Sequence, residues 1–247
     1  MSSYSDTFED KRLFISGGTS GIGLGIAARL HALGAAVVLN GRDATRANAA
    51  AASLSSARER VEVLCADVRD AEALEKALSG AFDGAVLAAA GNFVAPAEML
   101  SPGGFRAVVD IDLMGTFNVA RALMSRLRPG ASLLVVSAPQ ATRPMVGQSH
   151  VSAAKAGVEA LARSLALEWG PKGIRVNSVV PGAIAGTEGV ARLLGSEEAV
   201  RAFSRRLPLK RLGSVEEIAE AAAFLLSPRA AYITGATLNC DGGLALV

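Results

Sequence analysis

"SGGTSGIG", residues 16–23, sits between a short aliphatic run and an amphipathic stretch. The run is "RLFIS" (12–16), which reads as a buried strand. "GIGLGIAARLHALG" follows, with Ile22, Ile26, Leu30 and Leu33 on one helical face and Gly34 as a stop. Glycines at a strand-to-helix turn have a specific use. Gly17, Gly21 and Gly23 carry no Cβ, so the backbone can turn tightly and approach a pyrophosphate. The helix N-terminus then aims free N–H groups at the anion. The spacing is G-x-x-x-G-x-G. Its position between strand and helix makes it a dinucleotide-binding signal, where a glycine cluster alone would mark only a turn.

Outward from this loop, aliphatic runs alternate with helical patterns almost throughout. "AAVVLN" (35–40), "VEVLCA" (61–66), "GAVLAAA" (84–90), "SLLVVSA" (132–138), "IRVNSVV" (174–180) and "ATLNCDGG" (236–243) read as further strands. Helices are expected over 44–57 and about 70–79, 104–127, 150–169 and 215–226. Such alternation predicts an α/β fold. It would be a single doubly wound parallel sheet of about seven strands, Rossmann-type, with helices on both faces and crossovers of one hand. No linker or repeat divides residues 1–247. The least regular piece, 183–213, is a candidate substrate lobe or lid.

The end of the second strand reads "NGRD". A carboxylate there would bind a ribose 2′-OH, whereas Arg42 suits a 2′-phosphate, so NADP(H) is expected over NAD(H). Asp67, in "CADV", ends the third strand where an adenine amino group would lie, with Val68 against the ring. "AAAG" (88–91) lets the backbone pass the cofactor closely.

Bulk properties narrow the class. Of 247 residues, 51% are hydrophobic and only 4% aromatic, so the core is aliphatic and alanine-rich. A net charge of +2 is no nucleic-acid footprint. Cys65 and Cys240 have no metal-ligand or redox spacing, and two reduced thiols are expected. The polar N-terminus resembles no targeting segment, and no apolar run reaches membrane-spanning length. A cytoplasmic protein is expected.

Taken together, "GGTSGIG", "ADV", "AAAG", "AKAGVEALARSLALEWGPKGIRVNSVVPG" and "AAYITGATLNCDGG" resemble the short-chain dehydrogenase/reductase family over nearly the whole chain. The resemblance implies a cofactor cradle of Gly17, Thr19, Ser20, Gly21, Ile22, Gly23, Arg42, Asp67, Val68, Ala90, Gly91, Lys155, Pro181, Gly182, Ile184 and Thr187. The family's usual catalytic residues are mostly missing. Its Asn position holds Asp112, its Ser position Ala138 (beside Ser137), and its Tyr position Val151. Only Lys155 is kept. Val and Ala donate no proton at any pH, and the chain's tyrosines, Tyr4 and Tyr232, lie elsewhere.

A narrower resemblance accounts for the loss. "AAGNFVAPAEMLS", "VVDIDLMGTFNVAR" and "VPGAIAGTEGVARLLG" look like segments of the peroxisomal-type 2,4-dienoyl-CoA reductases, which also lack the tyrosine and keep an Asp and a Lys. This implies an NADPH-dependent oxidoreductase of fatty acid metabolism that reduces a conjugated enoyl thioester. Asp112 and Lys155 would be catalytic through a held water. Arg69, Phe93, Ser101 and Arg192 match positions that bind the acyl-CoA. Asp110 is expected to be a surface or capping carboxylate. Arg201, Arg205 and Arg206 read as a solvated helix face.

Helix 150–169 carries a second apolar stripe, Ala153, Ala160, Leu167 and Trp169, beyond the one a sheet requires. A homo-oligomer is expected, with a tetramer favoured over a dimer. Two rival functions are carried. One is a carbonyl or ketoacyl reductase whose proton donor has moved to Ser137, His150 or Ser152. The other is a non-catalytic NADP(H)-binding homologue.

Overall fold

The computed structural model describes residues 7–54 and 60–247. Seven parallel strands form one sheet in the order β3-β2-β1-β4-β5-β6-β7. They are β1 (Arg12–Ser16), β2 (Ala36–Gly41), β3 (Val61–Cys65), β4 (Phe82–Leu87), β5 (Leu127–Val136), β6 (Arg175–Pro181) and β7 (Thr237–Cys240). The helices between them are α1 (Gly21–Ala32), α2 (Ala44–Leu54), α3 (Ala71–Ala77), α4 (Pro102–Val109), α5 (Gly115–Met124) and α6 (Ser149–Trp169). After β6 come α7 (Glu188–Leu194), α8 (Glu197–Arg206) and α9 (Val215–Leu226). The expected fold class is met, and α7 and α8 occupy the irregular segment 183–213. The expected helix 44–57 runs to Leu54, and its last three residues lie outside the described ones.

Alternation along each strand sends neighbouring side chains to opposite faces. Phe14 enters one core with Val119, Leu123, Val158 and Trp169, under α5 and α6. Leu13 and Ile15 enter the other with Ile26, Leu30, Ile218 and Ala222, under α1 and α9. Both faces are covered, which is why the strands read as continuous aliphatic runs. Trp169 therefore belongs to the core side of α6, at 6% exposure, and not to a second stripe. Ala153, Ala160 and Leu167 do face outward.

The expected helix 104–127 is corrected. Between α4 and α5 the backbone makes a π-helical turn over Asp110–Met114. Such a turn inserts an extra residue and rotates one side chain out of register. The helix also stops at Met124, because "RPG" (128–130) joins an early extension of β5, with Gly130 at φ +84°.

β1 pairs with both β2 and β4. Chain direction around the sheet therefore reverses at β1/β4, and ligands of such sheets sit in the crevice at that switch point. No described helix is long and apolar enough to cross a membrane.

Candidate active site

A cleft of about 880 Å³ opens at the carboxyl ends of the strands. It is bounded by the β1–α1 loop, the ends of β2 to β6, the start of α6, and α7. The glycine loop forms one wall. Gly17 has φ +65°, and a Cβ there would meet Ala88 and Ala89 backbone atoms at 2.8 Å. A Cβ on Gly23 would stand 2.2 Å from the Gly17 carbonyl oxygen. Only hydrogen fits at either position. The N-cap of α1, Ser20, makes no side-chain capping bond, and the first turn has no acidic residue. Its N–H groups are thus left for an anion. These features fit the pyrophosphate of a nicotinamide dinucleotide.

Arg42, ahead of α2, lines the same cleft, as does Arg46 in the first turn of α2. Arg46 is a cleft residue that the sequence reading did not single out. Asp67 lines the cleft as well. Arg69 grips it: Nη2 lies 2.6 Å from Oδ2, and the Arg69 backbone N–H donates to Oδ1 at 2.9 Å. The Arg69 guanidinium, helped by Arg42, holds the Asp67 carboxyl below its usual range against opposing desolvation. The two residues assigned to separate ligands are thus one ion pair. Asp110 is half-buried and close enough to strengthen the charge on Arg69.

The π turn carries Asp112 inward to 1% exposure. Its Oδ1 accepts the Gly91 N–H at 2.7 Å, which ties the turn to the loop after β4. Lys155 Nζ lies 3.2 Å from Oδ2 and donates to the Val136 carbonyl at 3.1 Å. Oδ2 accepts no hydrogen bond of good geometry within the protein. An ammonium has three N–H groups, so both partners, which line the cleft, keep unused hydrogen-bonding capacity, with Oδ2 itself buried from solvent. Ala138 and Val151 line the cleft beside them. Val151 is buried with Val108, Ala154 and Phe93.

Of the relocated donors only Ser137 lines the cleft, and its Oγ donates to the buried Glu159 at 2.7 Å. Neither Ser152 nor His150 is among the lining residues. The His150 Nε2–H donates to the Phe93 carbonyl at 3.1 Å, and the ring lies against the Phe93 ring at 4.4 Å. The alternative of a moved proton donor therefore has only Ser137 in the cleft, with its hydroxyl proton committed to Glu159. Tyr232 is fully exposed, and Tyr4 lies outside the described residues.

Nearly all the remaining candidates line the cleft. Thr19, Ser20, Gly21, Ile22, Val68, Ala90, Gly91, Pro181, Gly182, Ile184, Thr187 and Arg192 are there, whereas Arg69, Phe93 and Ser101 are not. Thr187 caps α7, and Ser101 caps α4 by accepting the Gly104 N–H. Arg192 donates to the Asn92 carbonyl at 2.5 Å and pairs with Glu188. Gln140 and Asn92 also line the cleft, and the sequence carried no signal for either.

A family model described as Enoyl-(Acyl carrier protein) reductase matches residues 17–245. The chain is 42% identical to a (3E)-enoyl-CoA-producing peroxisomal 2,4-dienoyl-CoA reductase of Saccharomyces cerevisiae, over 97% of this chain and 85% of that protein. It is 39% identical to a probable (2E)-enoyl-CoA-producing 2,4-dienoyl-CoA reductase of Bacillus subtilis, over 95% of this chain and 96% of that protein. A solved structure of an NADPH-bound short-chain oxidoreductase from Pseudomonas aeruginosa PAO1, described as containing an atypical catalytic center, superposes with a TM-score of 0.87. It is 30% identical and covers 96% of this chain and 98% of that chain.

Proposed function

The chain belongs to the short-chain dehydrogenase/reductase family, in the group that the enoyl-(acyl carrier protein) reductase model describes, and from that premise we propose that it reduces 2,4-dienoyl-CoA thioesters with NADPH. The observation that carries the reading is the buried Asp112–Lys155 pair, with one unbonded carboxylate oxygen, beside Ala138 and Val151. A carbonyl reduction needs a group that protonates an alkoxide. A conjugated thioester does not.

NADPH, when bound, supplies a hydride to the δ carbon of the dienoyl chain. The electron pair moves along the conjugated system to the thioester oxygen, and the resulting dienolate takes one proton on carbon. The product is an enoyl thioester with one double bond fewer. Asp112 Oδ2 and the free N–H of Lys155 hold and polarise the water that delivers this proton, and the ammonium also favours the negative charge on the dienolate. Arg42 and Arg46 supply the charge for a 2′-phosphate. Arg192, on the lobe 183–213, lines the cleft and supplies it for the CoA phosphates. Arg69, Phe93 and Ser101 lie outside that lining and are read as acyl-CoA contacts from the resemblance alone.

The outward Ala153, Ala160 and Leu167 of α6, together with exposed Met114 of the π turn and Phe117 of α5, support a homo-oligomer, read as a tetramer. Free Cys65 and Cys240 accord with a reducing, cytoplasmic setting. The test is NADPH oxidation by purified protein with a 2,4-dienoyl-CoA beside a 3-ketoacyl-CoA. Oxidation with the dienoyl substrate alone is expected. Oxidation with the ketoacyl substrate alone overturns the reading.

A further inference from the structure

Reduction of a conjugated thioester places negative charge on the thioester oxygen, and that oxygen needs a hydrogen-bond donor. The positions next to Lys155 that could supply one hold Ala138 and Val151, which have no donor. Asp112 and Lys155 are committed to each other and to the water. Beside Ala138 two further polar side chains line the cleft: Ser137, whose hydroxyl is already given to Glu159, and Gln140, two residues beyond Ala138.

Gln140 is unusual in its bonding. It is 5% exposed, yet its Oε1 has no partner, and its Nε2 meets only the Met145 sulfur at 3.5 Å. A thioether is a weak acceptor. A buried carboxamide without partners costs free energy, so an unsatisfied one in a native fold calls for an explanation. This amide anchors nothing in the protein. Its backbone, by contrast, is held. Residues Pro139–Ala141 form a 3₁₀ turn, the Arg143 N–H donates to the Pro139 carbonyl at 2.8 Å, and the Arg143 side chain bonds the Leu244 carbonyl. A free amide on a fixed turn is what a preorganised donor requires.

We infer that the Gln140 carboxamide donates a hydrogen bond to the thioester oxygen of the substrate and stabilises the dienolate there. The assignment rests on the dienoyl thioester reading above. One N–H suffices, and rotation of the amide exchanges N and O without moving the turn. No proton is transferred by Gln140; the proton goes from water to carbon, and the amide only accommodates charge on oxygen.

The experiment compares wild type with Q140L, Q140M and Q140E. A dienoyl-CoA absorbs in the ultraviolet, and a donor on its carbonyl polarises the chromophore and shifts the band to the red. Bound to wild type without NADPH, the substrate is expected to show this shift. Q140L and Q140M fill the same space without a donor, and Q140E keeps the shape with an acceptor-only group. All three are expected to lose the shift and to lower kcat by about 10²–10³, the loss found when one oxyanion donor is removed. KM should change far less, and NADPH binding, the control for folding, should not change. If Q140L or Q140M keeps both the red shift and the wild-type kcat, the side chain is only filler and the assignment is overturned. Rescue by Q140E would overturn it equally. Wild-type protein that neither shifts nor reduces the dienoyl thioester overturns the substrate reading and this assignment with it.

Discussion

The ammonium of Lys155 stands 3.2 Å from Oδ2 of Asp112, with the two side chains 7% and 1% exposed. The residues are 43 positions apart in sequence and reach the cleft from different helices. Either charge alone would be costly at that depth, and each makes the other tolerable. The pair is also aimed. Gly91 fixes one Asp112 oxygen and Val136 fixes one Lys155 N–H, and both residues line the cleft.

Removing the charge should therefore separate chemistry from cofactor binding. Asp112→Asn is expected to lower kcat by about 10²–10⁴, the range of a positioned proton-transfer group. NADPH binding, followed by its fluorescence, should persist. Asp112→Ala should also cost about 3–5 kcal/mol of stability, because it strands a buried ammonium. Wild-type turnover by Asp112→Asn would remove the pair from the mechanism.

Cofactor choice should rest on Arg42. Each charged hydrogen bond to a phosphate contributes about 1.5–3 kcal/mol. Arg42→Ala should then weaken NADPH binding by about 10- to 100-fold and leave NADH binding as it was. Arg46→Ala should act in the same direction. Calorimetric titration with both nucleotides checks this, and equal losses for the two would count against a 2′-phosphate contact.

The glycine loop should behave differently. A methyl group at position 23 would meet the Gly17 carbonyl oxygen at 2.2 Å. Gly23→Ala must displace the loop, so NADPH and NADH should both bind poorly. The same titration therefore distinguishes a pyrophosphate cradle from a 2′-phosphate contact.

Acid stability should depend on Glu217. It accepts from Arg211 and closes the capping box of α9 with Ser214, which holds its carboxyl down to about 2 from the ordinary 4.5. A carboxyl depressed in the fold stabilises above its unfolded pKa, and that gain is lost as pH falls through the folded value. The melting temperature of wild type should exceed that of Glu217→Gln at pH 7. The gap should begin to close below about pH 4.5 and vanish near pH 2. A gap that is constant across this range would show that the ion pair contributes nothing.

Most of the fold was legible because its signals are local. Aliphatic runs of strand length, i, i+4 spacing in Ile22, Ile26 and Leu30, and glycine at a strand-to-helix turn each report on a few consecutive residues. The sheet and its cofactor loop followed from them, whereas the vacant Ser and Tyr positions and the pairing of Asp112 with Lys155 were implied only by the family resemblance. The helix over 104–127 was misread because a π turn leaves the apolar pattern nearly intact. Trp169 was misplaced because its i+4 spacing from Leu165, which puts it on the core face, was overlooked.

What the chain's order of residues determined is which groups exist and which backbone path carries them: Asp112 and Lys155 present, Ala138 and Val151 without a proton to donate, glycine where only hydrogen fits. Tertiary structure alone decided where those groups face. The π turn buries Asp112 against Gly91, Ser137 turns to Glu159, His150 turns to Phe93, and Gln140 is left lining the cleft without a firm partner. The physical reason is range. Backbone preference and hydrophobic period act over a few residues, whereas the direction of a buried polar side chain is set by partners tens of residues away, such as Gly91 for Asp112 and Glu159 for Ser137.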